Sequence, residues 1–68
     1  MTRKDYIVLA NAIREGILNT EAIYGEDGYG PCLEIISEIK ATLKADNHKF
    51  DELKFDRVCT KETGLSIK

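Results

Sequence analysis

The sequence is poor in the residues that mark several common classes of protein. Its 68 residues include no tryptophan, one proline, one histidine and two cysteines. Cys32 and Cys59 stand too far apart in the chain for the paired spacing of a zinc motif. We therefore expect no metal and no other cofactor, and we predict that both cysteines are reduced thiols in the core.

Long apolar runs and an excess of positive charge are also missing. The longest apolar run, residues 6–10, falls far below the roughly 18 residues that span a membrane. Asp5, Asn11 and Arg14 interrupt any apolar region of a secretion signal near the start. The 10 basic residues stand against 12 acidic ones, for a net charge of -2, which disfavours a general nucleic-acid binder. We predict a cytoplasmic protein with no membrane partner.

What the sequence does contain is the pattern of amphipathic helices. Thr2 and Asp5 have the spacing of a capping box. After them, five side chains fall on one helical stripe: Tyr6, Leu9, Ala10, Ile13 and Ile17. Gly16 weakens this first helix by about 1 kcal/mol relative to alanine. The helix therefore ends near residue 18 or continues to Tyr24.

Two further helices are predicted beyond a glycine-rich segment. Residues 24–31 include three glycines and Pro31, a composition typical of a loop. A second helix is predicted over about 31–45, with a stripe formed by Cys32, Ile35, Ile36, Ile39 and Leu43. Asp51 is a favourable N-cap, and Phe50 and Phe55 have the spacing of a hydrophobic staple, which predicts a third helix over about 51–63.

These elements predict an all-α protein, a small three-helix bundle with helices at about 3–18, 31–45 and 51–63 and a Gly-rich loop between the first two. Residues 1–68 form a single helical domain in this interpretation, and residues 64–68 are a tail that frays. A chain of this length buries only about 60% of its unfolded surface and is marginally stable alone. Association with a second chain would add buried area.

Patterns that support catalysis are weak. His48 is the single histidine and falls in a short connector between the second and third helices. Cys59 and Cys32 lie on apolar stripes, where burial makes a thiol inert. Glu26 and Asp27 flank a glycine-rich turn but lack the alternating acids of a calcium loop. We predict that the chain is not an enzyme and has no metal site.

Apolar residues outside the stripes are the best candidates for binding. Ile7 and Leu18 point away from the first stripe, and Leu33 points away from the second. Tyr24 and Tyr29 lie in the glycine-rich segment, a composition common at interfaces. These residues either complete a core that wraps around a small bundle or form a surface for self-association or for a partner.

Two stretches resemble parts of a group of very short bacteriophage helical proteins. The first is Met1-Thr2-Arg3-Lys4-Asp5-Tyr6, followed by Ala10, Ala12 and Ile13-Arg14. The second runs from Asp46-Asn47 through Phe50-Asp51 to Lys54-Phe55, with Cys59 four residues on. His48 stands where the group has proline, and the glycine-rich middle departs from the pattern. The resemblance implies a phage origin, a helical fold and the cytosol of an infected bacterium.

The leading interpretation is a non-enzymatic phage accessory protein that binds and modulates a host or defence protein as a homo-oligomer. Its predicted partner-binding residues are Ile7, Leu18, Tyr24, Tyr29 and Leu33. The alternative is a nucleic-acid or nucleotide-binding protein whose basic surface is assembled by oligomerisation. That surface would use Arg14, Lys40, Lys44 and Lys49.

Overall fold

A computed structural model describes residues 2–65 of the chain. Helix α1 spans Arg3–Tyr24, a short 3₁₀ helix follows at Gly25–Gly28, α2 spans Tyr29–Asp46 and α3 spans Glu52–Thr60. Within residues 2–65 there is no strand, so the all-α prediction is confirmed. No non-helical residue separates α1, the 3₁₀ helix and α2. Residues 2–65 thus form one long, bent helical segment, made of α1, the 3₁₀ helix and α2, and one short helix, α3. The prediction of three separate helices with a Gly-rich loop is wrong.

The start of α1 is fixed by the predicted capping box. The Thr2 hydroxyl accepts a hydrogen bond from the Asp5 amide at 3.3 Å, and the Asp5 carboxylate accepts one from the Thr2 amide at 2.9 Å. The helix continues past Gly16 and ends at Tyr24, because the apolar stripe continues beyond the weak position. Gly25 then takes a φ of +62°, a value that favours glycine.

The 3₁₀ helix turns α2 back along α1. The Tyr6 hydroxyl accepts a hydrogen bond from the Asn47 side-chain Nδ2 at 3.3 Å, and the centres of the Tyr6 and Phe50 rings lie 4.9 Å apart. The end of α2 therefore lies beside the start of α1. Pro31 falls in the first turn of α2, where its missing N–H leaves no hydrogen bond unmade.

Helix α3 begins as predicted and ends early. The Asp51 side chain accepts from the Lys54 amide at 3.0 Å, and the Phe50 and Phe55 rings lie 5.2 Å apart, so the N-cap and the staple are confirmed. The helix ends at Thr60, short of the predicted residue 63. The backbone leaves the helix at Lys61, whose ψ is 126°, and Glu62 then takes a left-handed φ of 63°.

The core contains residues from all three α-helices, from the connector before α3 and from the segment after it: Ala10, Ile17, Ile36, Leu43, Phe50, Phe55, Cys59 and Leu65. The α1 stripe is as predicted. On α2 the buried face is rotated, since Leu33 packs against the core while Ile35 is 60% exposed. The cause is α3, which lies on the Leu33 side of α2, where Lys40 reaches Asp56.

The segment after α3 is tied to α1. Arg14 Nε donates to the Lys61 carbonyl at 2.7 Å, and the Gly64 amide donates to Glu21 Oε2 at 2.8 Å. Leu65, in the predicted tail, is buried, and fraying of that tail stays a prediction. Residues 66–68 of that predicted tail lie outside the described range. Among the described residues, no helix is long and apolar enough to cross a membrane.

Candidate functional site

The five predicted partner-binding residues do not lie together. Ile7 and Tyr24 are exposed, but they stand 17 positions apart on α1, which is about 25 Å along a helix. Leu18 is half-buried. Tyr29 and Leu33 pack against the core, which fits the alternative in which these residues complete it. Tyr29 is held there by its hydroxyl, which donates to Glu21 at 2.5 Å.

The predicted basic residues are mostly engaged within the chain. Arg14 pairs with Glu62 at 2.9 Å, and Lys40 pairs with Asp56 at 3.0 Å. Lys44 Nζ donates to the carbonyls of His48 and Phe50. Lys49 is exposed. Since three of the four cations already have partners, this set does not form a basic surface in one molecule.

The structure instead forms a cleft where the start of α1 meets the connector and α3. Its volume is about 320 Å³. Three cations and one carboxylate border it: Arg3 at the start of α1, Lys49 and Asp51 in the connector and Lys54 in α3. The cleft therefore keeps an excess of two positive charges. Ile7, Phe50 and Val58 give the cleft an apolar floor. We call this feature the cationic cleft.

A second, shallower depression of about 470 Å³ adjoins it along α3. Lys54, Arg57 and Lys61 line it together with Leu53, whose side chain is 72% exposed. These three cations stand at i, i+3 and i+7, the spacing of one helical face. All the cations of the cleft and the depression are exposed. Within residues 2–65, none of them forms a side-chain ion pair.

Sequence reasoning missed this surface for two different reasons. Lys54 and Arg57 of α3 and Lys61 just after it were visible in the sequence, because the three have helical spacing. Arg3 and Lys49 were not predictable as their neighbours, because only the return of α2 to the start of α1 brings them together. The presence of Asp51, Glu52 and Asp56 in the same segment also hides the cations in any count of net charge.

The cysteines and the histidine are the side chains of the described residues to consider as nucleophiles or metal ligands. Burial is the main cause that raises the pKa of the Cys59 thiol to about 12, so its reactive thiolate form is suppressed at neutral pH. Cys32 and Cys59 are free thiols. His48 lies in the connector and is exposed. No group of three or more His, Cys, Asp or Glu residues in the described part of the chain is placed to hold a metal ion.

Comparison of the chain with protein-family models, with curated proteins and with solved structures found no match.

Proposed function

We propose that this chain is a non-enzymatic phage accessory protein that binds and modulates a host or defence protein, and that it works as a homo-oligomer. The observation that supports binding is the cationic cleft, where exposed cations that have no ion partner among residues 2–65 border an apolar floor. The phage origin is proposed from the resemblance of residues 1–14 and 46–59 to very short phage proteins.

An acidic segment of a protein suits the cleft better than a small substrate does. Interfaces between proteins combine an apolar centre with a polar rim, and the cleft has Ile7 and Val58 in its floor and cations at its edge. Unpaired cations speed the encounter with an acidic partner and select against basic ones. Exposed Leu53, beside the cleft, extends the apolar contact.

The proposal is tested by comparing two immobilised proteins in a bacterial lysate. The first is the wild-type chain, and the second carries Lys49→Ala and Lys54→Ala, which remove two cations from the cleft. We expect the wild type to retain a protein that the variant does not. That protein, purified and remixed, should bind the wild type at least about tenfold more tightly than the variant and lose affinity as salt rises.

A control with the same net charge separates the cleft from general electrostatics. Ser37→Glu with Thr42→Glu also lowers the net charge by two, at exposed positions of α2 outside the cleft. This variant should retain the same partner as the wild type. If the wild type and the cleft variant capture the same proteins in the same amounts, the cleft is not the binding site.

The nucleic-acid alternative now depends on a different set of residues. The basic depression along α3, lined by Lys54 and Arg57 of the helix and by Lys61 after it, favours this alternative over the predicted set. Against it, Phe50 and Phe55 are buried, so neither ring is free to stack on a base. Binding to single-stranded and duplex DNA over a salt series tests the alternative. Each α3 cation that contacts a phosphate should lower the salt slope by about 1 when it is replaced by alanine, and no binding at low salt excludes it.

A further inference from the structure

The 3₁₀ helix carries exposed acidic and apolar side chains together. Glu26 and Asp27 are exposed within it. Just before it, Ile23 is 72% exposed and Tyr24 is 63% exposed. We call these four residues the acidic turn. Apolar side chains this exposed, next to two carboxylates, have the composition of a contact surface and contribute nothing to the core.

The acidic turn and the cationic cleft lie at opposite ends of the molecule. The cleft borders the first turns of α1, and the acidic turn follows the end of α1. The 22 residues of α1 span about 33 Å at 1.5 Å per residue, and the longest dimension of the molecule is 34 Å. The two surfaces therefore cannot meet within one molecule.

We infer that the acidic turn of one copy of this chain docks into the cationic cleft of another copy. Two carboxylates would face the three cations of the cleft, and Ile23 and Tyr24 would cover its apolar floor. Charge complementarity selects this occupant, because the turn is the one exposed surface of the described chain that pairs two adjacent acids with two large apolar side chains.

This inference rests on the same site as the proposed function and names a second copy as its occupant. The contact joins two different surfaces, so a docked pair keeps one free turn on one copy and one free cleft on the other. Such contacts produce a ring if the rotation closes and an open chain if it does not. An acidic segment of a host protein would compete with the turn for the cleft, which links partner binding to disassembly.

Two variants, each with one surface removed, test the docking. The turn variant carries Glu26→Lys and Asp27→Lys, which the cations of the cleft repel. The cleft variant carries Lys49→Ala and Lys54→Ala. All substituted positions are exposed, and circular dichroism during heating checks that both variants fold. Their masses are measured by sedimentation over a range of protein and salt concentrations, separately and as an equimolar mixture.

We expect the wild-type mass to rise above the 7.7 kDa monomer with protein concentration and to fall as salt is added. Each variant alone should remain a monomer under the conditions in which the wild type associates. The mixture should stop at the heterodimer, because only the turn of the cleft variant and the cleft of the turn variant are intact. The Ser37→Glu, Thr42→Glu control should associate like the wild type.

Three results would overturn the inference: a wild type that stays monomeric at low salt, variants that associate as the wild type does, or a mixture that stays monomeric. The proposed function fails separately, because it is measured with lysate proteins and not with the chain alone. A monomeric wild type that still captures a partner through the cleft would refute self-docking and the homo-oligomer in the proposed function, but not the binding of a partner. Association without any partner in the lysate would refute the proposed function alone.

Discussion

At the scale of single residues, the ion pair between Lys40 and Asp56 is the most buried charge contact in the described chain. Their side chains are 19% and 14% exposed, and Asp56 Oδ1 is buried without a hydrogen-bond partner. Removing one partner of a buried pair leaves the other charge uncompensated. We expect Lys40→Met to lower the free energy of unfolding by about 3 kcal/mol in urea denaturation.

The double variant Lys40→Met, Asp56→Leu tests the cause of that loss. It removes both charges and the unpartnered oxygen, and replacing such a pair by apolar side chains is often neutral or stabilising. Its stability should return to that of the wild type or exceed it. Lys4→Met, at an exposed position outside any ion pair of the described residues, should change stability by less than about 0.5 kcal/mol. A double variant as unstable as Lys40→Met would show that the pair is not the cause.

The two cysteines should differ in reactivity. Cys32 is half-buried, whereas Cys59 has no exposed surface and a thiol pKa raised to about 12. In the native protein we expect a thiol reagent to modify Cys32 at least about 100-fold faster than Cys59, because Cys59 reacts only when the fold opens. Cys32→Ser and Cys59→Ser each leave one thiol, whose rate of modification is then measured alone. Both thiols should react equally in denaturant, and rapid native labelling of Cys59 would revive a catalytic role.

At the scale of elements, local signals predicted the beginnings of helices better than their ends. The starts of α1 and α3 depend on caps and a staple within a few residues, and those were legible in the sequence. The end of α3 depends on Glu62, whose conformation is supported by its contact with Arg14 of α1. Contacts between distant residues also set the buried face of α2. A helical wheel gives the width of an apolar stripe, but the position of α3 decided that Leu33 is inside and Ile35 outside.

The same distinction explains the cationic cleft and the basic depression beside it. The cations on α3 follow from one helix and its period, so the sequence carried that half of the site. The cleft itself needs the 3₁₀ helix to turn α2 back, and the glycine-rich composition of residues 24–31 predicted a loop there. The same residue types are common in loops and in 3₁₀ helices, so composition does not tell the two apart. Here the 3₁₀ helix packs against α1, where Thr20 lies against Gly28.

Among the glycines of the bend that have a negative φ, Gly28 should therefore lose the most stability when it is replaced by alanine. A Cβ at this position would overlap the Thr20 side-chain methyl, while a Cβ at Gly16 would meet nothing within 4 Å. We expect Gly28→Ala to lower the free energy of unfolding by about 1–3 kcal/mol, since α1 and the turn must separate. Gly16→Ala is the matched control and should raise it by about 0.5–1 kcal/mol. Equal effects in thermal or urea unfolding would mean that the close approach at residue 28 does not hold the bend.

At the scale of the whole molecule, Glu21 joins three parts of the chain. It lies on α1, accepts a hydrogen bond from the Tyr29 hydroxyl in α2, and accepts another from the Gly64 amide after α3. These bonds lower the pKa of the Glu21 carboxyl, that of Tyr29 being the larger cause. The bond to Glu21 is also the main cause that raises the pKa of Tyr29 to about 12. One cluster thus links the start of α2 and the end of the described chain to α1.

This cluster predicts a stability profile that falls at both extremes of pH. Glu21 has a lowered pKa in the folded state, so its contribution is present above its usual value of 4.5 and is lost as pH falls through the folded value. Tyr29 has a raised pKa in the folded state. Its contribution to the free energy of unfolding is therefore present below its usual value of 10.0 and is lost as pH rises from there towards about 12. The bond requires an ionised carboxyl and a protonated hydroxyl, which coexist only between those limits.

Urea denaturation across this pH range should show a plateau of stability with a decline at each end. The alkaline decline should be smaller in Tyr29→Phe and Glu21→Gln. Glu38→Gln, a control at an exposed position of α2, should keep the wild-type profile. If the wild type and the three variants give parallel profiles, the cluster does not couple stability to pH.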